Sequence, residues 1–234
     1  KGFSVIELLA DHPQGLTISE ITARMGLSMS EIFRVIMVME KSGWLKRSTG
    51  DRFRVTTKVI DLALRATPAE ELIQTAAPLM RDLVHRIDQS CHLVVRHGDA
   101  GLIIYRQQNP GPMGFSVRTG IKIPLEESCS GRILLSFNAL DDGQMPQDAR
   151  RSPATEALLQ KIRARGYEVM KSARTIGVTD ISYPIFGARA QVLAALTVPF
   201  LQLIDGTQTV DRDEARALLE QTAARISEAL GNPG

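Results

Sequence analysis

Leu16-Thr17-Ile18-Ser19-Glu20-Ile21-Thr22-Ala23-Arg24-Met25-Gly26-Leu27-Ser28-Met29-Ser30-Glu31-Ile32-Phe33-Arg34 carries two helix starts in close succession. Thr17-x-x-Glu20 and Ser28-x-x-Glu31 are both capping boxes. In each, the hydroxyl can accept the orphan backbone N–H three residues on, while the glutamate reaches back to the N–H at the cap. The starts stand eleven residues apart with Gly26 in the turn between them, the spacing of a helix-turn-helix.

The second helix has two faces. Ile32, Val35, Ile36 and Met39 recur at intervals of three and four, which makes them its buried stripe. Ser30, Phe33, Arg34, Met37 and Lys41 recur on the other side. A hydroxyl, an arginine and apolar groups on one exposed face suit the major groove, where arginine can make two hydrogen bonds to guanine and apolar groups meet the thymine methyl. An ordinary amphipathic helix with one stray exposed Phe would show the same pattern, and the next stretch decides between the two. Trp44-Leu45-Lys46-Arg47 and Arg52-Phe53-Arg54-Val55 flank the turn residues Ser48-Thr49-Gly50-Asp51, a hairpin signal. The whole is a winged helix-turn-helix. Thr17, Ser28, Met29, Ser30, Phe33 and Arg34 are its candidate DNA contacts on the helical side, and Lys46, Arg47, Arg52 and Arg54 are the wing's phosphate contacts.

Charge distribution agrees. The 234 residues carry a net +2, but residues 1–66 hold ten Lys or Arg against seven Asp or Glu, and the remainder eighteen against nineteen. The basic excess lies with the head. Composition is that of an ordinary globular chain, 44% hydrophobic and 23% charged. Two cysteines, Cys91 and Cys129, give no disulfide framework, and His12, His85, His92 and His97 make no zinc pattern with them. No metal, cofactor or catalytic residue is expected. Without a run of ~18 apolar residues or a signal peptide, the expectation is a cytoplasmic protein with no membrane partner. The chain opens on Lys1 already inside a helical pattern, so native residues are expected before it.

Around this head, a first helix over Gly2–Ala10 buries Val5, Leu8 and Leu9, and ends at Asp11-His12-Pro13-Gln14-Gly15. After the wing, Thr56 or Thr57 caps a helix with Val59, Leu62, Ala63 and Ala66 inward, broken at Thr67-Pro68. A long helical pattern, Ala69–Asp88, contains Pro78, which should kink it or start a new helix. The expected domains are a winged helix-turn-helix over 1–66, a helical linker over 67–77 and a second domain over 78–234. In the latter, strands Cys91–His97 and Leu102–Gln108 flank a Gly98–Gly101 turn, and Phe115–Arg118 reads as a further strand. A helix near Ser130, a polar loop over Asp141–Ser152 and a helix Pro153–Arg165 closed by Gly166 follow. Strands Val178–Phe186 and Gln191–Phe200 and a final helix Asp211–Leu230 complete an antiparallel α+β domain.

In this order and spacing the chain resembles the IclR family of bacterial transcription regulators over nearly its whole length. The resemblance rests on the head residues already quoted and on Gly43-Trp44-Leu45. In the second domain it rests on Gly120, Pro124-Leu125, Ser128-Cys129-Ser130-Gly131-Arg132, Arg165-Gly166-Tyr167, Gly177-Val178 and Tyr183-Pro184-Ile185. It implies an operator-binding head and a GAF-like domain for a small metabolite, commonly a keto or aromatic acid, in a dimer or a dimer of dimers controlling catabolic genes.

By motif position the family's pocket falls on Phe115, Ile123, Cys129, Ser130, Met170, Val178, Asp180 and Thr197. Strand alternation independently puts Val178, Asp180 and Ser182 on one face. The expectation is that Ser128-Cys129-Ser130-Gly131 wraps the acidic end of the effector with helix-start N–H groups. Asp180, Ser182 and Thr197 then read hydroxyls at the other end, and Phe115, Ile123, Met170 and Val178 form the walls. The chain departs from the family at Glu126 (usually His), Arg132 (usually Lys), Asp180 (often Cys) and Met170 (often acidic). An ionised Asp180 repels a bare carboxylate, which favours a hydroxylated organic acid or sugar acid. Two alternatives stand beside the sensor: a thiol-dependent enzyme using Cys129 at a helix start, and a DNA-binding scaffold whose second domain only dimerises.

Overall fold

The computed structural model describes residues 1–66, 69–111, 113–137, 152–204 and 207–232. They form two compact units, Lys1–Pro68 and Ala69–Gly234.

In the first unit, α1 (Gly2–Ala10), α2 (Ile18–Met25) and α3 (Met29–Lys41) precede a hairpin of β1 (Leu45–Ser48) and β2 (Arg52–Val55), and α4 (Lys58–Ala66) closes it. Both capping boxes form as reciprocal pairs. Gly26 takes the left-handed conformation between α2 and α3, φ 64°, which an L side chain adopts only under strain. Ile32, Ile36 and Met39 are buried with Val5, Leu9, Ile21, Leu45 and Phe53. Phe53 pins the wing to the core, because Leu16 bridges to it as a third short strand.

The helix α4 departs from expectation. Leu62 and Ala63 are exposed rather than inward, and Ile60 is 58% exposed. Lys58 ties the start of α4 to the head, donating from Nζ to the Ser42 carbonyl (2.7 Å) and lying over the Trp44 ring (4.8 Å). Beyond that, its apolar periodicity marks a face this unit does not cover. The expected break at Thr67-Pro68 and the Ala66 side chain lie outside the described residues.

The second unit opens with α5 (Ala69–Ile87), one helix that continues through Pro78. Its Leu72 and Ala76 are buried in this unit's core, so most of the segment expected as a linker is the first half of a core helix. Then come β3 (Cys91–His97), β4 (Ala100–Gln107), β5 (Lys122–Pro124), α6 (Cys129–Ser136), α7 (Pro153–Arg165), β6 (Glu168–Lys171), β7 (Val178–Phe186), β8 (Val192–Leu201) and α8 (Arg212–Ala229). The six strands make one antiparallel sheet in the order β5-β4-β3-β8-β7-β6. Residues of α5 and α8 pack with Leu93, Ile181, Leu196 and Val198 on one face. Residues of α6 and α7 pack with Val94, Ile103, Val192 and Ala195 on the other. The central strand β8 is covered on both sides, hence its nearly unbroken apolar sequence.

Three local expectations change. Phe115–Arg118 is not a strand. The Arg106 guanidinium donates to Ser116 Oγ (3.2 Å) and the Val117 carbonyl (3.3 Å), so this segment is held by a side chain and not by a ladder. The hairpin turn is Gly98-Asp99 alone, with β4 already begun at Ala100. Strands β5 and β6 were not expected: three and four residues at the sheet's two edges are too short for alternation to show. The polar loop expected over Asp141–Ser152 lies outside the described residues apart from Ser152, which caps α7.

Candidate functional site

Ser30, Phe33, Arg34 and Lys41 are exposed along α3, with Phe33 49% accessible, while Met37 is half-buried against the core. Met29 is exposed at the helix start, 48% accessible. Thr17 and Ser28 use their hydroxyls within the capping boxes. Arg34 and Lys46 are exposed and make no hydrogen bond or ion pair among the described residues.

The other wing cations are engaged within the head. Arg52 donates to the Gly15 carbonyl (2.9 Å) and pairs with Glu20 (2.9 Å), so it is a strut from wing to α2. Glu20 is accordingly held below the usual carboxylate range, first by the Thr17 backbone N–H and then by Arg52. Arg47 pairs with Glu40 and Asp51 (both 3.4 Å) and lies 5.0 Å over Phe53. Arg54 donates to Gln14 (3.3 Å) and buries its Nε without a partner. Counting basic residues in the hairpin could not reveal these acceptors, because they come from elsewhere in the chain.

In the second unit a cavity of about 400 Å³ opens on the α6 face of the sheet. Phe115, Ile123, Ser128, Cys129, Ser130, Asp180 and Thr197 line it. Gly131, Met170, Val178 and Ser182 do not. Gly131 is a packing position: an added Cβ would meet the Leu125 backbone and lie 2.6 Å from Ser128 Oγ. Val178 is 2% exposed, and Met170 lies on the edge strand in register with Asp180. Ser182 is fully buried beside Thr197, on the same sheet face, its hydroxyl 2.7 Å from that of Thr197.

The start of α6 has donors to spare. Ser128 Oγ accepts from the Gly131 N–H, and the Ser128 carbonyl from the Arg132 N–H. The N–H groups of Cys129 and Ser130 have no acceptor among the described residues, as the first turn of a helix dictates. Ser130 is 3% exposed, and its hydroxyl is likewise unmatched among the described residues. The Cys129 thiol donates to the Glu168 and Asp180 carbonyls (both 3.3 Å), and burial raises its pKa well above the ordinary thiol value. That contact sets Asp180 at the same end of the cavity as the α6 start, not at the opposite end. Burial pushes Asp180 up to about 6, opposed by a hydrogen bond from Ser172.

Sequence reasoning missed several lining residues. His92 on β3, Ile103 on β4, Val117 and Arg118 in the roof, and Ser172 and Arg174 after β6 all face the cavity. His92 pairs in register with Thr197, a relation that alternation within either strand could not supply. A wider cleft of about 500 Å³ lies between β7 and α8. Its charged residues Glu220, Arg225 and Glu228 are exposed, and its buried Ser227 hydroxyl is satisfied by Ala223 and Phe186. It is a solvated groove. No helix among the described residues is long and apolar enough to cross a membrane.

Residues 65–228 match the family described as bacterial transcriptional regulator IclR C-terminal, and residues 1–49 match the IclR helix-turn-helix domain. The chain is 24% identical to the HTH-type transcriptional regulator KdgR of Escherichia coli (strain K12), covering 99% of this chain and 91% of that protein. It is 26% identical to the Pca regulon regulatory protein of Pseudomonas putida, over 85% of this chain and 72% of that protein. Among solved structures, an IclR homolog complexed with 4-hydroxybenzoate from Microbacterium hydrocarbonoxydans superposes with a TM-score of 0.76 at 25% identity, over 92% of this chain and 90% of that one.

Proposed function

Because this chain belongs to the IclR family of bacterial transcriptional regulators, whose members are DNA-binding proteins with a C-terminal effector domain, we propose that its second unit senses a small polar organic acid. Binding of that acid adjusts the hold of the first unit on operator DNA upstream of catabolic genes. One observation carries the reading: the cavity gathers, at the α6 start, two N–H donors and the Ser130 hydroxyl, all without a partner among the described residues. A helix start with free donors favours an anion, and the Ser130 hydroxyl can add a hydrogen bond to it. The complex of the Microbacterium relative with 4-hydroxybenzoate supports an acid as the occupant.

The test is a thermal-shift screen of organic, aromatic and sugar acids against wild type and Ser130→Ala. A ligand at 100 times its Kd stabilises by about 2.7 kcal/mol, and Ser130→Ala reduces the shift. If no acid shifts the melting temperature, or if the shifts ignore Ser130, the cavity is not the sensing site. A thiol enzyme is disfavoured by Cys129 itself, whose buried thiol is held as a thiol, whereas a nucleophile needs the thiolate.

The exposed apolar residues of α4, Ile60 and Leu62, support self-association through the head. A single winged head also covers little DNA. The protein is therefore expected to be at least a dimer that reads two-fold-related half-sites about one helical turn apart, or a multiple of that. Sedimentation at micromolar concentration, with and without DNA, checks this; a monomeric mass in both would refute it.

A further inference from the structure

We propose that His92 is the residue with which the cavity selects its ligand: the imidazole hydrogen-bonds an uncharged oxygen, hydroxyl or carbonyl, at the far end of a small acid whose carboxylate sits at the α6 start. The proposal rests on the effector-site reading above. His92 is 6% exposed, lines the cavity, and its ring nitrogens have no hydrogen-bond partner among the described residues. Three other buried polar side chains of this unit are matched. Ser90 accepts from the Asn109 N–H, Gln89 pairs with both backbone groups of Leu201, and Thr197 pairs with Ser182. A cavity-lining imidazole with no partner among the described residues is free to hydrogen-bond an occupant in place of water.

The chemistry of the imidazole says what kind of group meets it. Burial pushes the ring down to about 4, so near neutral pH it carries one N–H donor and one acceptor nitrogen. A hydroxyl or carbonyl oxygen matches that pair, whereas a carboxylate gains more from the two N–H groups at the start of α6. Position says where the oxygen lies. Ser182, Thr197 and His92 are in register across β7, β8 and β3, and Asp180 is two residues along β7. At ~4.8 Å between strands and ~3.3 Å per residue, the Asp180 and His92 backbones are roughly 12 Å apart. A two- or three-carbon acid is too short to reach from one end to the other.

Ile103, Phe115, Val117 and Ile123 give the cavity an apolar wall, beside the polar Ser116, Ser172 and Thr175. Hydroxyls placed against that wall would lose their water without a partner, so the body of the ligand is apolar. The class is a compact acid with an aromatic or short aliphatic body and one neutral oxygen opposite the carboxylate.

The experiment is calorimetry on the full chain with two probe pairs, 4-hydroxybenzoate against benzoate and 6-hydroxyhexanoate against hexanoate. Wild type is expected to bind the oxygenated member of at least one pair about tenfold or more tightly. His92→Phe removes the preference, and His92→Gln, which keeps a donor and an acceptor, restores part of it. Should His92→Phe not fold, His92→Gln carries the test and must change the ratio at least threefold. No binding by any probe, or a preference that survives substitution of His92, overturns the proposal. Binding that falls in Ser130→Ala and Thr197→Val but ignores His92 leaves the effector site standing and removes only its selector. Binding indifferent to all three residues removes both.

Discussion

Arg34→Ala weakens operator binding by about 1–3 kcal/mol and relaxes base preference at one position of the half-site. The side chain stands exposed on α3 with no partner in the head, so its removal costs the free protein little and the complex a two-pronged contact. Lys46→Ala is the control for phosphate binding: it weakens all sequences alike and lowers the salt dependence. Arg52→Ala behaves differently from both. Its guanidinium ties the wing to Glu20 and the Gly15 carbonyl, so its loss loosens the wing before any DNA is met, and the melting temperature of the head falls together with affinity. Gel-shift titrations on operator and random duplexes at several salt concentrations separate the three. Equal losses on both duplexes for Arg34→Ala would take base reading away from α3.

Asp180→Asn raises stability at neutral pH and makes acid binding insensitive to pH. Asp180 stands at about 6 in the folded chain because burial penalises its charge, against ~3.9 when unfolded. The penalty is absent below pH ~4, grows as pH rises toward ~6, and is complete above that. The wild type thus loses stability on going up through this window, by about 1–3 kcal/mol. The asparagine variant does not, so its melting temperature exceeds wild type at pH 7.5 and the gain vanishes at pH 4. His92, which loses stability as pH falls from 6.5 toward about 4, acts equally in both proteins and cancels in the difference. The other charged groups that face the cavity are Arg118, Arg174 and Glu127, and they too are common to both proteins.

An acid binding beside Asp180 requires that carboxyl to take up a proton, so wild-type affinity falls above pH 6 while that of the variant stays level. DNA affinity without ligand is expected to stay nearly unchanged. Identical melting temperatures for the two proteins at pH 7.5 would mean that Asp180 carries no buried charge.

The head was legible because its determinants are local. Capping boxes at Thr17 and Ser28, Gly26 in the turn and the 3.6-residue stripe Ile32–Met39 all act within a few residues of where they are written. The same holds for α7, bounded by Ser152 and Gly166, and for the long strands β7 and β8. Signals failed where another part of the chain settled the matter. The pattern on α4 reported an apolar face but not whether anything covers it. Four wing cations looked alike until Glu20, Glu40, Gly15 and Gln14 were brought against three of them.

Family position brought Cys129, Ser130, Asp180 and Thr197 near a common cavity, yet Ser182 is fully buried beside Thr197. Asp180 lies at the α6 end, where its carbonyl accepts from the Cys129 thiol. His92 had no motif at all. Its place beside Thr197 is made by pairing two strands more than a hundred residues apart in sequence, and its neutrality comes from the burial that pairing imposes. Sequence alone determined most of the helices, the long strands, the α+β class and the family, since those depend on local periodicity and ordered motifs. Which polar groups are spent on the fold and which are left for a partner depends on desolvation and on acceptors arriving from distant segments, and only the tertiary structure decided that.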